Sequence, residues 1–376
     1  MIYLDNAATT LKKPPAVARA MREALRRGGG AGRGGHEAAM WSADKILACR
    51  QEAALLFGVP DPERVTLVGN ATHALNTAIS SVAKRPGRIL TSGFEHNAVM
   101  RPLEALKEKG YSVETLATPL FEPEVVVHRF EEALRGDVVF AACTVVSNVF
   151  GYVLPIERIA RLCRDRGVPL VVDASQAAGC LTVDAGVLAG AYIGMPGHKG
   201  LYGPQGTGLL ISPEGVMPNP ILRGGTGSQS VGMHMPDFLP DRLEAGTQNT
   251  PGVAGLLEGL RYVKKRGTGA ILRHERALTA QLIQAMSGHR RLRLYYADHL
   301  FCQTGVLAFN VLDADPECIA EQLARKGMAV RAGLHCAPEA HRSAGTFPVG
   351  AVRVSVSDFN TAREIENFIR ALEEML

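Results

Sequence analysis

Five short stretches place reactive side chains where a backbone turn could present them. In MPGHKGLYGPQGTG (195–208), Lys199 stands between His198 and Gly200. Glycines there let the backbone approach a ligand closely. In VVDASQAAG (171–179), Asp173 ends an apolar run, and an ionised carboxylate in such a place needs a cationic partner. In GNATHALN (69–76), a strand pattern runs into a helix start. Backbone N–H groups and the Thr72 hydroxyl would make an anion site there, and the plainer reading is that Thr72 only caps the helix. In TSGFEHNAV (91–99), His96 sits at another helix start, where a lone histidine is usually a cap. These four stretches have a joint chemistry. A lysine amine can form a Schiff base with pyridoxal phosphate, and a carboxylate can pair with its pyridinium nitrogen. A helix N-terminus can take the phosphate, and an imidazole can stack on the ring. Each residue alone has a structural explanation; capping hardly explains all four in one chain.

The fifth stretch is RAGLHCAPEAH (331–341), with Cys336 between His335 and His341. Cys336 could be a nucleophile, a metal ligand or a buried thiol. Only three candidate ligands lie together, and the chain has no second Cys/His cluster with zinc-type spacing, so a metal site is the poor reading.

Alternating patterns must position these residues. PPAVARAMREALRR (14–27) reads as a helix with Pro in its first turn, and 37–57 as a longer one. The glycine-rich run 28–36, with Arg33 and His36, reads as an active-site loop rather than a linker. Strands are expected at 64–69, 88–92, 111–117, 137–146 and 169–175, with helices at 72–83, 97–109, 126–135 and 156–166. Two more strand-like runs follow, GAYIGM and GTGLLIS. This order predicts an α/β fold with a mostly parallel sheet between helices, whose ligands bind beyond the carboxyl ends of the strands. After about residue 260 the pattern changes to a long polar helix (270–286), mixed strands and helices, and a last helix at 361–375. The expected division is a large domain of 14–260 and a smaller α+β domain of 1–13 and 261–376.

Composition narrows the function class. The 376 residues are 46% hydrophobic and 21% charged, which suits a folded protein and argues against disorder. Net charge is +4, from 41 basic and 37 acidic residues, and the basic ones are dispersed, against nucleic-acid binding. No apolar run approaches a membrane span; the longest, 168–195, is broken by Asp173 and Asp184. MIYLDNAATT has no basic stretch followed by a long apolar one. Seven scattered cysteines suit reduced thiols in a cytoplasmic protein, and the six other than Cys336 read as small buried hydrophobes. Trp41 and the methionines read as packing.

The chain resembles the fold-type I pyridoxal-phosphate enzymes of the class V aminotransferase family, and within it the cysteine desulfurases. DNAATT, EHNAV, SNVFG, DASQ, GHKGLYGPQGTG, EAGTQN and RAGLHCAP carry the resemblance, which runs from residue 3 to residue 361. It implies that Lys199 is the Schiff-base lysine, that Asp173 pairs with the ring nitrogen and that His96 stacks on the ring. It implies that Gln176 donates to the ring oxygen and that Asn148 orients cofactor or substrate. Thr72 and His198 would hold the phosphate, with help from the backbone at His73. Thr247 would reach the phosphate of a neighbouring subunit, hence a homodimer with shared sites. Arg353 would clamp the substrate carboxylate, with Arg331 beside it. His73, Pro196 and Leu334 depart from the commoner pattern (Glu, Ser and His respectively) and blur the sub-family.

The implied reaction takes the sulfur of L-cysteine onto Cys336 as a persulfide, releases L-alanine and passes the sulfur to an acceptor protein, as in iron–sulfur cluster assembly. His335 or the cofactor itself would help make the thiolate. The alternatives are a selenocysteine lyase or another class V lyase or aminotransferase, and a non-catalytic pyridoxal-phosphate-binding scaffold in a sulfur-transfer assembly.

Overall fold

The computed structural model describes residues 1–376 apart from Arg33 and Ser230. Arg33, in the glycine-rich run, therefore lies outside the described residues. The short apolar runs of the first two-thirds of the chain form a seven-stranded sheet. Its spatial order is Val65–Val68, Gly208–Ile211, Ala191–Pro196, Leu170–Asp173, Val138–Thr144, Arg88–Ser92 and Ser112–Leu116. Most of these strands are buried on both faces, as continuous Val/Ile/Leu runs require. All pairs are parallel except those of Gly208–Ile211, which runs antiparallel to both neighbours. A run of apolar residues carries no direction, so that reversal was not readable locally.

Helices Ala71–Val82 and Asn97–Lys107 cover one face, through Leu75, Ile79, Val99 and Leu103. Helices Glu37–Leu56, Pro123–Ala133, Ile156–Asp165 and Thr250–Arg266 cover the other, through Ala53, Phe130, Ile159 and Leu256. Residue 260 falls inside this last helix, whose Val253, Leu256, Leu257 and Leu260 belong to the large core. The change of core comes at Gly267, in the left-handed region at φ 81°. The next helix, Thr268–Met286, packs with Pro316–Arg325 and Ala362–Glu373 on a four-stranded antiparallel sheet. That sheet runs Arg331–Gly333, Ala351–Ser355, Val306–Val311, Leu292–Tyr295.

The N-terminal segment ties the two parts together. Ile2–Tyr3 pairs with Met328–Ala329, and Asp5 bridges to Ser355. A few residues later, the Thr9 and Thr10 hydroxyls donate to the His198 carbonyl, next to the lysine of interest. No helix among the described residues is long and apolar enough to cross a membrane.

Candidate active site

Strand register makes the site. Thr144 pairs with Asp173, both at the carboxyl ends of their strands, and Asp173 pairs with Gly194, two residues before the end of a third. Beyond them opens a cavity of ≈ 230 Å³ lined by Thr72, His96, Asn148, Asp173, Gln176, Pro196, His198 and Lys199. Residues spread over more than a hundred positions of sequence thus face one space.

Asp173 is buried, and its Oδ1 accepts from the Ser175 N–H at 2.9 Å. Lys199 is open to the cavity but surrounded by protein. That burial pulls its amine down to about 8, against the upward pull of the Asp173 carboxylate. His96 caps its helix, with Nδ1 accepting from the Ala98 N–H at 3.0 Å, and burial lowers its pKa. His198 is pushed down to about 4, by burial first and then by Lys199 and Lys13. Its Nδ1 is buried without a partner among the described residues, as is Asn148 Oδ1. Such orphaned buried atoms are expensive unless something else meets them. The Gln176 amide donates to the Ala7 carbonyl at 2.9 Å, which fixes its side chain at the cavity wall.

Asn70 caps the helix that starts at Ala71: its side chain accepts from the His73 N–H at 2.9 Å. The capping role weighed for Thr72 therefore belongs to Asn70, and the exposed Thr72 side chain lines the cavity instead. The same bond engages the His73 amide. The His73 side chain lines a neighbouring cavity of ≈ 180 Å³, together with Thr247 and Gln248. His73 and Thr247 are thus not brought to the Lys199 cavity within this chain. Nor does any described residue of 28–36 line it; Gly32 lies against Gly227.

The Cys336 segment is fastened to the cavity wall from two sides. The Asn97 N–H, next to His96, donates to the Cys336 carbonyl at 2.7 Å. The Asn148 amide donates to the His335 carbonyl at 2.8 Å. His335 and Cys336 are both left-handed, at φ 51° and 55°, a conformation unusual for residues with a Cβ and a mark of a functional turn. The Cys336 side chain is exposed. His335 is placed as a packed ring rather than as a base facing the Cys336 side chain. Its ring is buried, its pKa is held well below the ordinary value by burial and by Arg353, and it stacks on His341 at 5.7 Å. His341 is itself buried, against the Thr346 hydroxyl at 2.7 Å. Among the described residues no group of three His, Cys, Asp or Glu side chains is arranged to hold a metal ion.

Arg353 is buried, 2% exposed. Its Nη1 donates to the Asn148 carbonyl at 2.8 Å and its Nη2 to Asp5 Oδ1 at 2.7 Å. Arg331 is largely exposed and reaches the other Asp5 oxygen. Of the six cysteines read as buried, five are; Cys318, on helix Pro316–Arg325, is exposed.

Four residues escaped the sequence reading. Asp5 was inside DNAATT and Glu95 inside EHNAV, so adjacency to motif residues was the available signal. Lys13 donates to the His198 carbonyl at 2.8 Å, and burial lowers its amine to about 8. Thr144 gives its N–H to Glu95 Oε1 at 2.9 Å. Glu95 is fully buried and its Oε2 has no partner among the described residues; burial pushes its carboxyl up to about 8.

The cavity fits pyridoxal phosphate by the chemistry of its donor set. A carboxylate, a lysine amine, an imidazole at a helix start, an amide and a hydroxyl face one space, beside a buried imidazole nitrogen that lacks a partner among the described residues.

The family model for class-V aminotransferases matches residues 2–368. A probable cysteine desulfurase of Xylella fastidiosa is 33% identical, over 99% of this chain and 90% of its own. Another, of Methanothermobacter thermautotrophicus, is 30% identical over 100% of this chain and 94% of its own. Among solved structures, the apo cysteine desulfurase of Thermococcus onnurineus superposes with a TM-score of 0.91 at 30% identity, covering 100% of this chain and 94% of that one.

Proposed function

This chain belongs to the class-V aminotransferase family and is an enzyme of the cysteine desulfurase type, and we propose that it converts L-cysteine to L-alanine with pyridoxal phosphate, storing the sulfur on Cys336. One observation carries this reading: Lys199, Asp173, His96, Asn148 and Gln176 line one cavity, and the Cys336 turn is hydrogen-bonded to Asn148 and to the residue after His96.

When bound, pyridoxal phosphate supplies an electron sink for negative charge at the substrate's α-carbon. Asp173 would meet the ring nitrogen, His96 the ring face and Gln176 the ring oxygen. Thr72 and His198 would take the phosphate, with Lys13 as a nearby cation. Lys199 would attach to the cofactor and, once displaced, carry the substrate's α-proton. An amine titrating near 8 is far better placed to accept a proton at neutral pH than an ordinary lysine near ~10.4. Arg353 would bind the substrate carboxylate. Asn148 would orient the substrate while holding the Cys336 turn.

At the sulfur, the Cys336 thiolate attacks the substrate Sγ. A sulfur–sulfur bond forms, the carbon–sulfur bond breaks, and its electron pair returns to the carbon skeleton, which is protonated and leaves as alanine. L-cysteine and one thiol thus give L-alanine and one persulfide, with no outside oxidant. The exposure of Cys336 lets an acceptor protein collect the sulfur, as iron–sulfur cluster assembly would need.

We further assign Thr247 to the site of a second copy of the chain. It lines a cavity apart from Lys199, and Val231 and Met233 nearby in sequence are 99% and 97% exposed. Exposed apolar residues of this kind suit a subunit interface. Seven free thiols suit a reducing compartment such as the cytoplasm.

The test is mass spectrometry of the Cys336 peptide after incubation with L-cysteine, alongside alanine release. A gain of one sulfur on Cys336 and stoichiometric alanine are expected. The Cys336→Ala variant should keep its cofactor absorbance and still bind L-cysteine, yet lose sulfur transfer by about 100-fold or more. Undiminished sulfide and alanine production by that variant would remove Cys336 from the mechanism.

A further inference from the structure

Arg331 and Arg353 are direct cross-strand partners in the antiparallel pair formed by Arg331–Gly333 and Ala351–Ser355. Like charges so placed repel. Asp5 separates them. One carboxylate oxygen lies 2.7 Å from Arg353 Nη2, the other 3.1 Å from Arg331 Nε. The Asp5 side chain is 12% exposed and that of Arg353 3%, so this contact is shielded from water on the Arg353 side. Asp5 has little freedom to leave. Its backbone bridges to Ser355, two residues beyond Arg353, and its carbonyl accepts from the Tyr3 hydroxyl at 3.2 Å.

The N-terminal segment thus brings a carboxylate onto the guanidinium that is assigned to the substrate carboxylate. Two consequences follow. Asp5 and the Asn148 carbonyl hold Arg353 in one orientation, with its buried Nε lacking a partner among the described residues. Asp5 also cancels one of the two guanidinium charges, leaving one net positive charge where the pair alone would have two.

We propose that Asp5 is a positioning and selectivity residue: it aims Arg353 at a single carboxylate and keeps the site from favouring amino acids with a second anionic group. This rests on the assignment of Arg353 to the substrate carboxylate. An amino acid with an uncharged side chain, such as cysteine as the neutral thiol, meets balanced charge. A dianionic one, such as aspartate or cysteine sulfinate, does not find the second cation it would need.

The experiment titrates holoenzyme with L-alanine and with L-aspartate and reads the absorbance change of the bound cofactor, giving a ratio of two dissociation constants. Asp5→Asn keeps the shape and an accepting oxygen but removes the charge. It should move the ratio toward L-aspartate by roughly tenfold or more, the order expected for one nearby unit charge in a partly screened site. Asp5→Glu should restore the wild-type preference. Arg331→Gln, with Asp5 intact, should move the ratio the opposite way, and it supplies the test if Asp5→Asn loses its fold or cofactor. A ratio unchanged in Asp5→Asn, or unmoved by Arg331→Gln, overturns the proposal, since a merely structural role would lower both affinities together. Alanine release from L-cysteine by wild type is measured separately. Its absence would refute the desulfurase reading without altering what the binding ratio reports about Asp5.

Discussion

Two cavities open at opposite ends of the same sheet. The one at the carboxyl ends measures ≈ 230 Å³ and holds Asp173, His96 and Lys199. The one at the amino ends is larger, ≈ 600 Å³, and is lined by Val138, Leu170, Ala191 and Tyr192, where those strands begin. The larger cavity has cations at its rim, Lys84, Arg85 and Arg164, but no carboxylate facing an amine. Its thiol, Cys163, is pushed up to about 12 by burial, and so is inert. The smaller cavity concentrates opposed titratable groups. Volume therefore locates space, while strand ends and helix starts locate chemistry.

The contrast can be tested most severely at Lys199. Lys199→Ala should lose the borohydride-trapped covalent adduct with pyridoxal phosphate and about 1,000-fold or more in turnover. Persistence of a trapped adduct on that variant would mean another lysine does this work.

A smaller effect is expected at Glu95, beneath the same cavity. Its folded pKa is raised to about 8, while an unfolded glutamate titrates near ~4.3. Between these values the folded state holds a proton that the unfolded state has released. Stability from this group is present below about pH 4 and is lost as pH rises toward 8, by at most ~1.4 kcal/mol per pH unit. Thermal unfolding of wild type and Glu95→Gln across pH 5 to 8 should show wild type falling relative to the variant. Glu275, also pushed up to about 8, titrates in both proteins and cancels in the difference. Parallel curves would show that Glu95 is ionised in the folded protein.

The smallest effect belongs to the larger cavity. The Tyr192 hydroxyl is buried without a partner among the described residues. Tyr192→Phe should leave kcat/KM for L-cysteine unchanged and shift stability by no more than about 1 kcal/mol. A marked fall in kcat/KM would erase the distinction between the two ends of the sheet.

Much of this was legible from local pattern. The alternation of strands and helices from residue 64 to 212 is written in apolar periodicity, and the structure repeats it with shifts of one to three residues at the ends, the largest where the helix expected at 126 begins at Pro123. Asp173 and His96 could be placed at a strand end and a helix start because those positions are local. The reversal of Gly208–Ile211 was not legible, because a strand's direction depends on its neighbours. The Asn70 cap was missed because Thr72 is as good a capping residue by type, and only backbone geometry chooses between them. Cys318 was taken as buried because a helical pattern does not say which face turns outward at one isolated position.

The sequence by itself determined which residues stand at strand ends and helix starts, because hydrogen bonding and side-chain periodicity act over a few residues. Only the tertiary structure decided which of them meet. Asp5 reaches Arg353 across 348 positions, and Asn148 reaches the His335 carbonyl across 187. Those contacts depend on sheet register and on the path of the N-terminal segment between the two cores. Both are set by the packing of the whole chain, so Cys336 comes to lie beside the Lys199 cavity, and Arg353 acquires its counterion, only when the fold closes.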